Sequence, residues 1–463
     1  MKIKKGTIIE VNIESLSYGG DGFAKHNDIA VFVQKGLPGQ KVEALIIKKN
    51  KKFLKAKTFN VLKKSPDQIK PECVHFEDCG GCSFQNYKYE KQLEQKEQQV
   101  KDLLTHITGL KSTKIAKIKK AKEIYNYRNK MEFTFSNDAW FEKYNPKEKR
   151  ELCIGLHPKG RFDKTIDLEN CKIQPEIANK IVDIVRETAI ENSLIPYNIK
   201  KHTGFLRQLV IRSAVHESET MVIIVTSTND QKKLKPIVDN LKKIKEIKSI
   251  INNVNRRKAD ISYSEEQYLL YGDDFITEKI GAYQFKISPD SFFQTNSLQA
   301  KVLYDIIKKE ANLNGDEIVY DLYCGTGTIG IYLSKKAKKI FGFEIIPSAI
   351  DDAMINASNN NVKNALFFQG DIKDTLIDNK EVDIIEKPDV SIIDPPRSGL
   401  HPKALKNIIK LKQKKIIYIS CNPSTQARDL KEFLEFGYKV KNIIPVDMFP
   451  HTPHIESVVT LIK

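Results

Sequence analysis

The feature that most constrains the fold of this chain is an alternation of strands and helices from about residue 290 to the C-terminus. Apolar, strand-like runs at 317–323, 339–344, 366–371, 390–394 and 415–420 are separated by helical patterns. Parallel strands need such crossover helices, so the pattern predicts a doubly wound α/β sheet. In these sheets ligands bind at the carboxyl ends of the strands. The residues that end each predicted strand are therefore the candidates for a functional site.

The end of the first strand carries a glycine loop. Gly325, Gly327 and Gly330 fit the pattern G-x-G-x-x-G, which lets the backbone approach a ligand and is shared by dinucleotide and S-adenosylmethionine sites. Glu344 ends the second strand, where a carboxylate can accept the ribose hydroxyls of an adenosine. These residues predict a cofactor that contains a nucleoside, and by themselves they leave hydride transfer open.

The ends of the fourth and fifth strands narrow the chemistry. Asp394 is followed by Pro395 and Pro396, which hold this carboxylate on a stiff turn. A rigid acidic turn beside a cofactor suits an enzyme that methylates a base flipped out of its stack. Cys421 follows the fifth strand and directly precedes a predicted helix. Because a helix N-terminus lowers the pKa of a nearby thiol, we expect Cys421 to be a nucleophile with a lowered pKa.

The first 60 residues have the pattern of a small basic barrel. Short strand-like runs at 7–13, 29–33 and 41–47 alternate with Gly and Pro turns, which predicts an OB-like β-barrel. The first 64 residues hold 14 lysines and five acidic residues, so they carry more than half of the formal net charge of +17. A basic barrel is typical of proteins that bind single-stranded nucleic acid. We expect it to supply mainly affinity for RNA, while the region after residue 290 carries the reaction.

Three cysteines lie close together after the barrel. Cys73 precedes Cys79 and Cys82, and the last two form a C-x-x-C pair of the kind that binds metals. With a distant fourth cysteine they would suit either an iron–sulfur cluster or zinc, and the spacing does not choose between them. Seven cysteines in 463 residues, without a signal-like N-terminus, indicate a reducing compartment, so we expect a cytoplasmic protein.

These patterns divide the chain into three predicted domains. The barrel covers residues 1–60, a central α+β domain with the cysteine cluster covers 61–285, and the Rossmann-like α/β domain covers 286–463. Residues 87–106 of the central domain predict a polar amphipathic helix. No run of apolar residues is long enough for a membrane helix, so we expect no membrane association.

Five motifs of the C-terminal region resemble the RNA uracil-5-methyltransferase family. In the family's order, they read FFQTN at 292–296, DLYCG at 321–325, IDPPR at 393–397, SCNP at 420–423 and HTPHIES at 451–457. The N-terminal barrel resembles the TRAM domain that many members carry, so the resemblance covers nearly the whole chain. One departure is Tyr323, where many members have phenylalanine, and it preserves an aromatic face.

The resemblance implies an enzyme that transfers a methyl group from S-adenosylmethionine to C5 of uridine in RNA. In this family a cysteine adds to C6 of uracil and a glutamate removes the C5 proton, and the matching residues are Cys421 and Glu456. The residues that match the cofactor positions are Gln294, Tyr323, Glu344 and Asp394, with Asp371 as a weaker candidate. The resemblance also implies a [4Fe–4S] cluster, with zinc as the alternative. Its implied ligands are Cys73, Cys79, Cys82 and Cys171.

The implied substrate is 23S ribosomal RNA, because a TRAM-like barrel and a cysteine cluster occur together in the ribosomal members. Transfer RNA is the alternative, and we expect no obligate protein partner. A non-catalytic RNA-binding assembly factor would tolerate loss of Cys421 or Glu456, yet both are present. An NAD-type oxidoreductase would leave Cys421 and the Asp394 turn unexplained. Cytosine methylation is disfavoured because the 393–397 motif lacks the second cysteine of the cytosine enzymes.

Overall fold

The computed structural model describes residues 3–109, 115–140, 152–258, 264–374 and 386–463. Within these ranges, a six-stranded sheet is followed by a seven-stranded sheet, a two-stranded hairpin and a second seven-stranded sheet. Each sheet is built from strands that are close in sequence, so the sheets follow one another along the chain.

The N-terminal sheet is curled around its own small core. Its strands are β1 (Ile8–Asn12), β2 (Ser15–Leu16), β3 (Gly22–His26), β4 (Ile29–Gln34), β5 (Lys41–Lys49) and β6 (Phe53–Lys63). They pair in the order β1-β5-β6-β4-β3-β2, and only β4 and β6 run parallel. Val11, Val31 and Val42 are among the buried residues of this core. The sequence pattern does not predict β6, because the residues that alternate with its two buried positions are mostly lysines that face solvent.

The central sheet is mixed and carries two helices on one face. Its strands are β7 (Lys130–Ser136), β8 (Cys153–Leu156), β9 (Ile166–Asp167), β10 (Leu206–Ala214), β11 (Glu219–Thr226), β12 (Ile247–Val254) and β13 (Glu266–Gly272). They pair in the order β13-β12-β11-β10-β7-β8-β9. Helices α2 (Glu176–Glu191) and α3 (Gln231–Leu241) share a core with this sheet, to which Ile181, Ile237 and Ile250 contribute.

The C-terminal region is the doubly wound sheet that the sequence predicts. A hairpin, β14 (Ile276–Ile280) and β15 (Tyr283–Ile287), precedes it. The sheet strands are β16 (Ile318–Leu322), β17 (Lys339–Glu344), β18 (Ala365–Gln369), β19 (Val390–Ile393), β20 (Lys415–Ser420), β21 (Lys439–Val446) and β22 (Glu456–Ile462). Their order is β18-β17-β16-β19-β20-β22-β21, with β22 antiparallel to both neighbours. The helices are α4 (Ser297–Ala311), α5 (Thr328–Leu333), α6 (Pro347–Asn359), α7 (Pro402–Lys410) and α8 (Pro423–Glu435), with a 3₁₀ turn at Ser334–Lys336.

The carboxyl ends of β16, β17, β19 and β20 lie side by side, because these strands are parallel neighbours. Three of the helices that return from them begin with a proline at the first helical position. Proline is favoured there because its missing N–H would have no partner inside the helix. The chain thus leaves each strand through a short loop at one edge of the sheet, where the predicted site residues collect.

Helix α1 (Tyr89–Thr108) lies in the predicted central domain but packs against the C-terminal sheet. Val100 and Leu104 join the core that contains Leu430 of α8. Lys96 of α1 forms a 2.6 Å ion pair with Asp447, and the two side chains are 1% and 0% exposed. Such a pair is costly to break because it would leave a charge buried alone. Across the described ranges, no helix is both long and apolar enough to cross a bilayer.

Candidate active site

The glycine loop after β16 opens toward the carboxyl edge of the sheet. Tyr323, Gly325 and Gly327 have φ angles of 64°, 54° and 74°, so three of five consecutive residues are left-handed. That conformation is strained for Tyr323, and such strain concentrates at functional sites. A Cβ added at Gly325 would meet no atom within 4 Å, whereas at Gly327 it would lie 2.8 Å from Phe367. Gly327 therefore packs closely against Phe367, whereas the space next to Gly325 is open to a ligand.

Two carboxylates frame this loop. Glu344 accepts hydrogen bonds from the backbone N–H groups of Gly325 (3.2 Å), Ile345 (2.8 Å) and Ile346 (3.0 Å). Since a carboxylate offers about four acceptor sites, room remains for one hydroxyl donor. Asp321 accepts from Gly330 N–H through Oδ2, while its buried Oδ1 has no hydrogen-bond partner among the described residues. An unpartnered buried oxygen beside the open loop fits a ligand that donates a hydrogen bond.

Gln294 and Asp371, two further predicted cofactor residues outside the loop, occupy different positions. Asp371 follows β18 by two residues, and its charge acts on Tyr323, so it lies beside the glycine loop. Gln294 is buried just before α4, and its carbonyl accepts a hydrogen bond from Asn129 Nδ2 at 3.0 Å. Asn129 also donates to Ser297 Oγ at 2.7 Å. The sequence analysis does not identify Asn129, because it precedes β7 and is far from the FFQTN motif in sequence.

Asp394 occupies the centre of the site. Burial raises its pKa to about 6. Its charge also acts on Asp321, whose pKa is raised to about 7, first by burial. The following turn is tied to the Cys421 loop, because the Arg397 carbonyl accepts from Asn422 Nδ2 at 3.1 Å and from Thr425 Oγ1 at 3.3 Å. The two strand-end loops therefore form one unit.

The structure corrects the expected pKa of Cys421. The pKa of this thiol is raised to about 11, first by burial and then by the nearby Glu456 and Asp394 carboxyls. Arg397 acts in the opposite direction but does not outweigh them. The sequence shows only the N-terminus of the following helix, which lowers a thiol pKa. The carboxylates that act on Cys421 come from two other strands, so the local sequence does not reveal them.

Glu456 is the first residue of β22 and is 5% exposed. Burial, followed by the charge of Asp394, holds the pKa of this carboxyl well above its usual range. A carboxylate with a raised pKa is a stronger base once it is ionised. Burial lowers the pKa of the nearby His454 to about 4, so this histidine is neutral at pH 7. Cys421, Asp394 and Glu456 thus lie close enough for their charges to act on one another, and their roles stay predictions.

Helix α1 holds the segment that leads to Glu456. Gln92 Oε1 accepts the His451 backbone N–H at 3.1 Å, and Gln92 Nε2 lies 3.2 Å from His451 Nδ1. Lys96 adds its ion pair to Asp447. The sequence analysis does not identify these polar residues, although Gln92 and Lys96 are spaced by helical turns from the apolar Val100. That spacing is the signal that could have marked them as buried.

The barrel also reaches this site. Tyr18, from the loop after β2, lies within electrostatic range of Arg397, Cys421 and Glu456. The structure thus brings a barrel loop near the proposed reacting groups, while the expectation that the barrel supplies mainly RNA affinity stays a prediction. A loop tip of the barrel could not be placed there from sequence, since more than 370 residues separate it from Arg397.

The four cysteines of the predicted metal site are electrostatic neighbours. Cys79 and Cys82 each interact with Cys73 and Cys171. Two donors point at sulfur: Gly81 N–H is 3.4 Å from Cys79 Sγ, and Gln85 Nε2 is 3.3 Å from Cys82 Sγ. In the described part of the chain, no three His, Cys, Asp or Glu side chains are arranged to hold a metal ion. The metal site therefore remains a prediction.

Two family descriptions together match almost all of the chain. The family described as tRNA (Uracil-5-)-methyltransferase matches residues 88–463. The TRAM domain matches residues 2–59. The first match begins next to α1, the helix that packs on the C-terminal sheet.

Individual proteins agree with this assignment. The chain is 38% identical to an uncharacterized RNA methyltransferase of Chlorobaculum tepidum, over 99% of this chain and 97% of the relative. It is 39% identical to one of Clostridium tetani, over 100% and 99%. A solved structure, the Pyrococcus abyssi tRNA (uracil-54, C5)-methyltransferase in complex with S-adenosyl-L-homocysteine, has a TM-score of 0.76. It shows 30% identity and covers 98% of this chain and 99% of its own. Site, fold and relatives together show that this chain belongs to the RNA uracil-5-methyltransferase family, as an S-adenosylmethionine-dependent RNA methyltransferase with an N-terminal TRAM domain.

Proposed function

We propose that this enzyme methylates C5 of a uridine in 23S ribosomal RNA through a covalent adduct between Cys421 and C6 of the base. The observation that carries the proposal is the convergence of one thiol and two buried carboxyls, Cys421, Asp394 and Glu456, at the ends of three strands. A cysteine nucleophile with a neighbouring carboxylate base is what substitution at a poorly nucleophilic carbon needs.

The residues divide the reaction between them. The Cys421 thiolate adds to C6, which places the displaced electron pair on C5 and O4 of the ring. S-adenosylmethionine supplies the methyl group that C5 takes up. Glu456 then accepts the C5 proton, and the electron pair of that C–H bond restores the C5–C6 double bond as the Cys421 sulfur leaves. The products are 5-methyluridine and the demethylated cofactor, and the proton resides on Glu456.

Residues at the sheet edge would hold the cofactor. Glu344 and the Gly325 loop suit the nucleoside, as the acceptor site left on Glu344 suggests. Asp394 and Asp321 place negative charge where a cationic sulfonium would be favoured. Gln294, Tyr323 and Asp371 complete the proposed cofactor set.

The charge of these groups predicts how cofactor binding depends on pH. The ionised form of Asp394 attracts a cation, and its pKa is about 6, so affinity for S-adenosylmethionine should fall about tenfold between pH 7 and pH 5. S-adenosylhomocysteine lacks the positive charge and is the matched control, whose affinity should change much less. Titration calorimetry at several pH values measures both. Equal pH dependence for the two ligands would contradict the electrostatic role of this carboxylate.

We propose that Cys73, Cys79, Cys82 and Cys171 hold a [4Fe–4S] cluster with a structural role, and zinc is the alternative. Methyl transfer from a sulfonium needs no electron, so the reaction gives the cluster no redox step. Its ligands would close the long loop of the chain between Cys82 and Cys171. Protein purified without oxygen should be brown and hold about four irons per chain. Cys171→Ala should lose iron and unfold at lower temperature, whereas Cys153→Ser, outside this cluster, should retain it. Colourless, active protein with stoichiometric zinc would favour the alternative.

The outer face of β6 is the proposed RNA surface of the barrel. Lys55, Lys57 and Phe59 are exposed along it, and Phe59 is 60% exposed. Basic side chains neutralise phosphates and an exposed aromatic ring can stack on a base. Exposed lysines and an exposed aromatic ring at alternate positions of one strand suit single-stranded RNA.

Replacing four exposed barrel lysines by glutamine should weaken RNA binding and flatten its salt dependence. The substituted residues are Lys51, Lys52, Lys55 and Lys57. Each lost phosphate contact should reduce the slope of log K against log salt by about 0.7. The control substitutes four exposed lysines at the opposite edge of the C-terminal sheet, Lys410, Lys412, Lys439 and Lys441. Equal slopes for the two variants would mean that the barrel lysines only solubilise the domain.

The choice of RNA can be tested directly. Ribosomal and transfer RNA from cells that lack the gene are incubated with enzyme and labelled cofactor, and the labelled nucleotide is mapped. The proposal expects 5-methyluridine in 23S RNA. Label confined to transfer RNA would support the alternative that the Pyrococcus abyssi structure favours by its match over 98% of this chain.

A further inference from the structure

The segment between the hairpin and α4 carries Gln294, and its backbone is bound by residues that lie in or next to the central sheet. Asn129 N–H donates to the Thr295 carbonyl at 2.9 Å, and Asn129 Nδ2 donates to the Gln294 carbonyl at 3.0 Å. Nearer the start of the segment, the Arg212 guanidinium donates to the Ser291 carbonyl at 2.7 Å. Three carbonyls of this short segment are therefore held from another sheet.

Asn129 is itself fixed in place. It directly precedes β7 and is 7% exposed, and its carbonyl accepts the Ser213 N–H of β10 at 2.8 Å. Besides the Gln294 carbonyl, its Nδ2 atom reaches Ser297 Oγ at 2.7 Å. Because an amide nitrogen carries two N–H groups, these two bonds use both of them. The side-chain amide is therefore held in one orientation.

A buried carboxylate anchors the next link of this network. Ser297 Oγ donates to Glu278 Oε2 at 2.6 Å, and Glu278 is 0% exposed. The same carboxylate accepts the backbone N–H groups of Val215 at 2.8 Å, His216 at 3.1 Å and Lys279 at 2.9 Å. The network thus ends on the backbone of the turn after β10 and on that of β14. A buried polar network whose members have partners makes its surroundings rigid.

The backbone at Gln294 depends on such support because residues 288–296 belong to no helix or strand. Phe292 is 67% exposed, whereas Phe293 packs in a core and Gln294 is 9% exposed, so the chain passes from the surface to the interior within two residues. Without the bonds from Asn129, the Gln294 side chain would occupy more orientations. A ligand that binds only one of them would then bear the cost of ordering it.

We propose that Asn129 is a positioning residue, which fixes the backbone at Gln294 and so holds the Gln294 side chain ready for S-adenosylmethionine. The inference rests on the proposed function in that Gln294 is taken as a cofactor residue. It gives the central domain a part in cofactor binding, although the predicted cofactor residues all lie in the C-terminal domain.

The test compares Asn129→Ala with the matched control Asn252→Ala. Asn252 lies in β12 and is 0% exposed, and its Nδ2 atom likewise donates to one carbonyl, of Ile224, and one hydroxyl, of Thr226, each at 2.9 Å. Calorimetric titration of the full-length protein with S-adenosylhomocysteine is combined with thermal unfolding. Both variants should unfold at lower temperature. Only Asn129→Ala should bind the ligand more weakly, by about tenfold, the effect of losing one hydrogen bond.

A double-mutant cycle tests whether Asn129 acts through Gln294. Gln294→Ala alone should weaken binding of S-adenosylhomocysteine, and Asn129→Ala should weaken it no further in that background. Ser297→Ala is a milder second variant, which leaves the bond to the Gln294 carbonyl but removes the other acceptor that orients the amide. It should weaken binding about threefold.

An unchanged affinity in Asn129→Ala, or an equally large loss in the Gln294→Ala background, would overturn the proposal. Normal binding by Gln294→Ala would overturn it as well. If Asn129→Ala does not fold, the cycle is run with Ser297→Ala, where an unchanged affinity has the same meaning. If the cycle gives the expected losses but the enzyme methylates no uridine, the positioning role stands and the proposed function fails.

Discussion

Replacing Cys421 by alanine should reduce methylation by at least about a thousandfold, because it removes the thiol that is proposed to form the bond to C6. Cofactor binding should survive, since the candidates for that task lie at other strand ends: Gln294, Tyr323, Glu344 and Asp394. The measurement is single-turnover methyl transfer onto the accepted RNA, together with the affinity for S-adenosylhomocysteine.

A substrate that cannot complete the reaction separates the nucleophile from a structural cysteine. RNA with 5-fluorouridine at the target position has no C5 proton to lose, so the adduct should persist through denaturation with the unmodified enzyme and be absent with Cys421→Ala. Cys153→Ser is the matched control: Cys153 is buried in β8 and donates to the Ser136 carbonyl, a bond that serine can replace. Substantial methylation by the alanine variant would overturn the mechanism and leave the fold assignment intact.

The C-terminal sheet could be predicted well because its determinants are local. The runs at 339–344 and 415–420 coincide with β17 and β20, since apolar residues bounded by turns identify buried strands. Parallel order then places Glu344, Asp394 and Cys421 at one edge without further information. The prediction is less exact at Asp371, which lies beyond the end of β18 at Gln369.

What the sequence could not provide comes from contacts between distant segments. The raised pKa of Cys421 depends first on burial and then on carboxyls from two other strands, and the place of Tyr18 depends on the docking of a barrel loop. The sequence predicts α1 as a helix, but it does not indicate that Asp447, from a distant part of the chain, is the partner of Lys96. The left-handed backbone of Tyr323 is likewise imposed by the tertiary structure, because a bulky residue does not favour it on its own.

Substituting glutamine for Glu456 should let the reaction begin but not finish. The amide nearly preserves the size of the side chain but cannot accept the C5 proton, so the methylated base should remain bonded to Cys421. The carboxylate is suited to this step because burial and Asp394 raise its pKa, which makes its ionised form a stronger base than an exposed glutamate.

The stalled intermediate gives this prediction a distinct readout. With ordinary RNA and cofactor, Glu456→Gln should accumulate a protein–RNA adduct that resists denaturation and carries the transferred methyl group, while free product falls at least about a hundredfold. Glu435→Gln, at the exposed end of α8, is the control and should turn over normally. Adding Cys421→Ala to Glu456→Gln should abolish the adduct, because the bond it reports is the one to that sulfur. Normal turnover by Glu456→Gln would instead make this buried carboxyl structural, and another group would have to remove the proton.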